Sequence, residues 1–259
     1  PEKDAAGRSG KGGFFVLAMD VGRKGCDSVV CVFKDTPQPQ GVSLKQLVNI
    51  FTLSDEHFED QCIKVKKLFY KFKAKRLVID GNGLGIGLLD YLVKPQIDPD
   101  TNELFPDFGV YNDEDGYYKK YRTQNCEQDA LYVIKANAPI NTEAHANAQT
   151  QLSSGKVKML IDERVAKTKL LGTKVGQNMT PEERAEYLKP FTLTSILKEE
   201  MMNLREETEG VNIILKQANR GIRKDKFSAF EYGLYYIKHE EDNKKKKKKF
   251  NAKEWCFFN

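Results

Sequence analysis

The sequence predicts an α/β fold, a mixed β-sheet with helices layered against it. Three observations carry this. The chain opens with three β-branched, apolar segments joined by turn residues, the pattern of a meander. A helix with an apolar stripe, a short wholly apolar strand and a second helix follow. Shorter strands and helices then alternate to the end of the body.

Residues 1–13, polar and glycine-containing, read as a flexible lead-in. Phe14–Asp20 is the first strand. Gly22-Arg23-Lys24-Gly25 is turn chemistry, and residues 28–33 form the second strand of a hairpin. Pro37-Gln38-Pro39-Gln40-Gly41 is a loop tip, and Leu44–Leu53 is the third strand. Ser54 or Asp55 caps a helix that sets Phe58, Cys62, Val65, Phe69 and Phe72 on one face. Residues 76–80 are apolar enough to be buried on both faces. Residues 84–93 are helical, stopped by Pro95.

Residues 96–128, rich in Asp, Asn, Pro, Gly and Tyr, form a loop-heavy insertion with one strand near 108–111. Strands at 131–135 and 157–161 flank a helix at 140–152. Residues 162–179 are a basic, glycine-containing excursion. Thr180-Pro181-Glu182-Glu183 is a capping box with proline at the first helical position. A helix at 195–207, a strand at 211–216 and a last helix at 226–238 complete the body. Residues 241–259 read as a lysine-rich tail.

Bulk properties set limits. The chain's 259 residues allow one elaborated domain or two small ones. The formal net charge is +5, and six consecutive lysines at 244–249 exceed that surplus. The body is therefore near neutral, and any basic surface on it is local. Five cysteines without CxxC spacing argue against a zinc site or a disulfide framework, and suit a reducing compartment. No apolar run is long enough to span a membrane. The start, which lacks both Met and a signal-peptide pattern, reads as that of a fragment.

Three aspartates stand out. Asp20 ends the run Phe14-Phe15-Val16-Leu17-Ala18-Met19 and precedes Val21-Gly22. Asp80 ends Leu77-Val78-Ile79 and leads into Gly81-Asn82-Gly83-Leu84-Gly85. Asp225 lies among Arg220, Arg223, Lys224 and Lys226, just before the last helix. Strand ends followed by glycine turns are where α/β sheets bind ligands. Taken singly, each aspartate also reads as a turn or cap residue. Brought together, three carboxylates repel one another, and divalent cations are the usual remedy. Residues 81–87 are not a phosphate loop, since no GxxxxGK[ST] occurs in the chain and the GxGxxG spacing fails. The histidines, His57, His145 and His239, share no ligand spacing and read as incidental.

These residues carry a family resemblance. The order strand-Asp20-Val21-Gly22 with Asp27 nearby, then Val78-Ile79-Asp80-Gly81-Asn82-Gly83-Leu84-Gly85, then Lys224-Asp225-Lys226-Phe227-Ser228-Ala229 resembles the C-terminal nuclease domain of the large terminase subunit of tailed double-stranded DNA bacteriophages. It spans roughly residues 14–240. Many relatives carry further acidic residues where this chain has Lys226 and Ser228.

The resemblance implies a ribonuclease H-like mixed central sheet flanked by helices, with Asp20 and Asp80 on adjacent strands and Asp225 entering from the last helix. It implies endonuclease cleavage of concatemeric viral DNA by two ions of Mg²⁺ or Mn²⁺ held by Asp20, Asp80 and Asp225, with Asp27 as a further ligand. Arg223, Lys224, Lys226 and the excursion's Arg164, Lys167, Lys169 and Lys174 would grip the phosphates, which carry no sequence information. The implied partners are double-stranded DNA, an N-terminal ATPase motor domain of the same polypeptide, the small terminase subunit and the portal protein, in the host cell cytoplasm. Two other readings stay open. One is a different ribonuclease H-like nuclease of resolvase or transposase type. The other is a non-catalytic DNA-binding or packaging-docking module.

Overall fold

The structure, a computed structural model, describes residues 13–22, 25–38, 43–54 and 56–249. The expected lead-in (save Gly13), the middle of the first turn, most of the loop tip, Asp55 and residues 250–259 lie outside the described residues. Among the described residues no helix is long and apolar enough to cross a membrane.

Strands β1 (Phe14–Asp20), β2 (Ser28–Thr36) and β3 (Leu44–Leu53) form the expected meander. Helix α1 (Phe58–Lys71), β4 (Ala74–Asp80) and α2 (Leu84–Leu92) follow. The insertion holds three short strands, β5 (Gln96–Ile97), β6 (Leu104–Phe105) and β7 (Phe108–Val110), and a 3₁₀ turn at Lys119–Tyr121. Then come β8 (Glu127–Ile134), α3 (Ala138–Ser153) and β9 (Val157–Lys158).

The central sheet has seven strands in the order β7-β8-β4-β1-β2-β3-β9. Only β2 runs against its neighbours; the β1–β4, β4–β8, β7–β8 and β3–β9 pairs are parallel. A three-stranded meander continued through crossovers by parallel strands on its first member is the ribonuclease H-like arrangement. Period-two alternation splits the sheet's side chains between two layers. Leu17, Met19, Leu77 and Ile79 pack with Cys62, Val65, Phe69 and Phe72 of the first helical stripe. Val16, Ala18 and Val78 pack on the opposite side with Phe230, Leu234 and Ile237.

The second half departs from expectation in several places. The excursion is helical, as α4 (Glu163–Leu171) and α5 (Lys174–Asn178), because Ala166 and Leu170 give it a buried stripe. The capping box at Thr180 is formed, but it starts one continuous helix, α6 (Pro181–Met202), that carries Pro190 within it. Residues 204–207, expected to end a helix, belong instead to β10 (Leu204–Glu209), paired with β11 (Asn212–Gln217). The turn between them is set by Gly210 at φ +61°, a left-handed conformation that glycine adopts without strain.

The last helix, α7 (Asp225–Lys249), runs on through the lysine run expected to be a tail. Its extension has anchors. Glu240 pairs with Lys75 at 2.6 Å, and Glu241 pairs with the fully buried Lys45 at 2.8 Å.

Candidate active site

Three elements bring one carboxylate each to the carboxyl edge of the sheet. In the parallel β1–β4 pair, Met19 stands opposite Ile79, so Asp20 and Asp80 follow at one level. Alternation turns both toward the layer occupied by α7, the side on which Val16, Ala18 and Val78 pack. Asp225 is the first residue of α7. All three are half-buried.

Local structure fixes each one. Asp80 accepts the N–H of Asn82 at 3.0 Å, and the Asn82 amide donates to the Ala136 carbonyl at 2.7 Å, tying the turn to the end of β8. The turn is close-packed, since a Cβ on Gly85 would lie 1.7 Å from the Asp80 carbonyl oxygen. After β1, Gly22 donates to Ser28 Oγ at 2.8 Å, and that hydroxyl donates to Gln61 Oε1 at 2.7 Å. The start of α7 is clamped by Glu200 of α6, which accepts Phe227 N–H at 2.9 Å and pairs with Lys226 at 3.2 Å.

The carboxylates sense one another. Burial, then the charges of Asp225 and Asp80, raise the Asp20 pKa to about 7 against the pull of Lys224. Burial also raises Asp80, while the Asn82 and Ala136 N–H groups draw it back. Burial raises Asp225; Arg223, Lys226 and Lys224 oppose the shift, and Asp27 adds to it. The Asp27 charge is thus felt at Asp225.

The donor set consists of carboxylate oxygens, which suits a hard divalent cation. Among the described residues, no group of three or more His, Cys, Asp or Glu is drawn together tightly enough to hold an ion as the side chains stand. In chemistry the site fits a hard cation; in geometry it is open.

The basic residues divide. Lys224 is exposed, and its charge reaches both Asp20 and Asp225. Exposed Arg223 donates to the Gly25 carbonyl at 2.6 Å and lies 3.9 Å from Asp225. Lys226 corrects the sequence reading, because it is buried and held by Glu200, so its ammonium does not face a phosphate. Arg164, Lys167, Lys169 and Lys174 are exposed on α4 and α5. Their helices share a cleft with Tyr187 and Phe191 of α6. Phe191 precedes Glu200 by nine residues, roughly 13 Å along the helix, so these four bases are set back from the carboxylates.

Among the buried carboxylates that escaped the sequence reading, Glu200 and Glu231 bear on the site. Glu231 lies on the inner side of α7, its Oε2 2.5 Å from His145 Nδ1 of α3, and its charge also raises Asp20. His145 is therefore not incidental. The available signal was a single acid inside the apolar run Phe230-Glu231-Tyr232-Gly233-Leu234.

No protein-family model and no curated protein matches the chain. Solved structures do. The large terminase nuclease of thermophilic phage G20c with bound magnesium is 13% identical, with 86% of this chain and 82% of that one covered and a TM-score of 0.46. The large terminase nuclease domain of Thermus phage P74-26 is 12% identical over 85% and 78% of the two chains, at 0.45. The nuclease domain of the large terminase subunit gp2 of bacterial virus Sf6 is 11% identical over 90% and 92%, at 0.46. Each of these three is a large terminase nuclease or nuclease domain from a phage or bacterial virus.

Proposed function

We propose that this chain is the nuclease part of a phage large terminase, cutting concatemeric double-stranded viral DNA during packaging. The observation that carries the reading is the meeting of Asp20, Asp80 and Asp225, from two parallel strands and a helix start, at one edge of the sheet. An uncompensated cluster of this kind costs stability, and a site that must hold cations is a physical reason to keep it.

Asp20, which feels both other charges, would hold the divalent cations, two ions of Mg²⁺ or Mn²⁺ in this reading, together with Asp80 and Asp225. Asp27 would be a further ligand on the Asp225 side. Bound divalent cations would acidify a water and neutralise charge building on the phosphate. Asn82 and Ala136 hold Asp80 in place, and Glu200 sets the start of α7 so that Asp225 meets Asp20. Lys224 and Arg223, at the rim, position the DNA backbone, and such contacts give little sequence specificity. In this reading an ATPase motor domain belongs to the same polypeptide. The small terminase subunit and portal protein are partners, and the protein works in the host cytoplasm.

A second reading has one observation in its favour. Lys226 stands where many relatives carry an extra acid, and it is spent on Glu200. A docking module with a relict acidic edge would look similar. Supercoiled plasmid incubated with the protein in EDTA, Mg²⁺ and Mn²⁺ separates the two. The nuclease nicks and linearises only with metal, and the Asp80→Ala variant does not. A folded protein inert with every metal supports the docking module.

A further inference from the structure

The insertion carries a tyrosine–lysine strip that the carboxylate site does not use. Its sequence is Gly116-Tyr117-Tyr118-Lys119-Lys120-Tyr121-Arg122. Tyr118 and Tyr121 pack against the core, and the 3₁₀ turn at Lys119–Tyr121 fixes the backbone between them. Tyr117 is 58% exposed, and Lys119 and Lys120 are exposed. The Lys120 ammonium lies 4.3 Å from the Tyr117 ring centre and 5.0 Å from that of Tyr121. From the end of α2, Lys94 comes within 5.7 Å of the Tyr121 ring. The acidic residues just before the strip lie on the side of Tyr117 and Tyr118, separated from the lysines' end of the turn only by those two rings. Asp113 accepts the Tyr118 N–H at 3.0 Å, and Asp113, Glu114 and Asp115 line a groove that begins at Tyr117 and Tyr118 and runs on to Tyr132, Lys135 and Tyr235.

The strip's place follows from strand register. Asn112, at the end of β7, bonds both the N–H and the carbonyl of Val133, at 3.0 and 2.8 Å. Val133 is paired with Ile79, one residue below Asp80. The chain therefore enters the strip at the same sheet edge as the carboxylates. β7 is two strands from β4, roughly 10 Å at ordinary strand spacing.

We infer that Tyr117, Lys119, Lys120 and Lys94 form a second, separate contact surface for the DNA duplex, flanking the point of cleavage. This rests on the nuclease reading above. Lysines neutralise phosphates, and an exposed tyrosine ring lies flat on apolar sugar or on a splayed base. Lysines already poised over tyrosine rings lose less freedom on binding. The complement of alternating anionic and apolar groups is a nucleic acid backbone.

The test is anisotropy of a labelled duplex in EDTA, where nothing is cut, measured across a salt series. The variants are Lys119→Ala/Lys120→Ala, Tyr117→Ala and Tyr117→Phe. The double lysine variant should bind about tenfold more weakly, with a salt slope shallower by about two. Tyr117→Ala should weaken binding severalfold, and Tyr117→Phe should restore it. Unchanged affinity and slope in the double variant, or no duplex binding by the wild type, overturns the inference. An anionic protein is then the better occupant. Plasmid cleavage keeps the two claims apart. A wild type that cleaves, with strip variants that bind normally, defeats the strip alone. A wild type that shows this binding pattern and never cleaves defeats the nuclease alone.

Discussion

Glu200, two residues from the end of α6, accepts the backbone N–H of Phe227 at 2.9 Å and so holds the first turn of α7 against the sheet. The same carboxylate pairs with buried Lys226. A helix start has unpaired N–H groups and a positive dipole end, so a buried carboxylate there is compensated twice. Asp225 is in that same turn, two residues before Phe227. Replacing Glu200 with Ala should cost about 3 kcal/mol in urea unfolding, because it leaves Lys226 buried and unpaired. It should also lower cleavage more than its stability loss explains, since Asp225 loses its mooring. Normal activity in the folded fraction would leave Glu200 a structural role only.

Asp20 makes metal-free stability depend on pH. Its folded pKa, about 7, lies above the ordinary 3.8, so the folded state keeps a proton that the unfolded chain releases. Its contribution is therefore most favourable below pH 4 and is lost as pH rises toward 7. Asp20→Asn should flatten that decline and stabilise the metal-free protein at pH 8 by about 1–3 kcal/mol. Urea unfolding in EDTA at pH 5 and pH 8 checks this. An equal loss in both proteins would place the titration elsewhere.

Divalent cations should reverse that penalty. Binding only to the folded state adds about 2.7 kcal/mol at a hundredfold excess over Kd. Mn²⁺ should raise the melting temperature of the wild type and leave Asp20→Asn unmoved. An equal rise in both would locate the ion away from Asp20.

Gly85→Ala tests the turn below Asp80. The added Cβ would lie 1.7 Å from the Asp80 carbonyl oxygen, so the α2 start must shift. The expected result is a loss of about 2 kcal/mol or more and a matching loss of cleavage. Gly83→Ala offers a contrast: its Cβ meets nothing within 4 Å, and only its positive φ is strained.

The far end of α7 has its own test. Lys45 is fully buried against Glu241, so Glu241→Gln leaves a buried cation poorly matched. A destabilisation of about 3 kcal/mol is expected, with cleavage by the folded protein unchanged.

What the sequence made legible follows from the physics of each segment. β1 and β4 are buried on both faces, so their apolar runs ended sharply at Asp20 and Asp80. Asp225 was legible only through its motif, because an acid at a helix start is otherwise an ordinary cap. Glu200 and Glu231 were hidden, since a helix-borne glutamate looks the same whether it faces solvent or a buried partner. Residues 204–209, Leu-Arg-Glu-Glu-Thr-Glu, have helix-forming composition, and pairing with β11 overrode it. Lys226 looked like a phosphate contact because its basic neighbours are exposed, while helix periodicity turned it inward.

One measurement bears most directly on the claim that the three carboxylates form a single metal-dependent nuclease site. Supercoiled plasmid would be incubated in Mn²⁺ with the wild type and with Asp20→Asn, Asp80→Asn and Asp225→Asn, each shown to be folded. The account expects nicking and linearisation by the wild type, and loss of at least a hundredfold (about 2.7 kcal/mol) in every variant. Cleavage that survives in Asp20→Asn would contradict it.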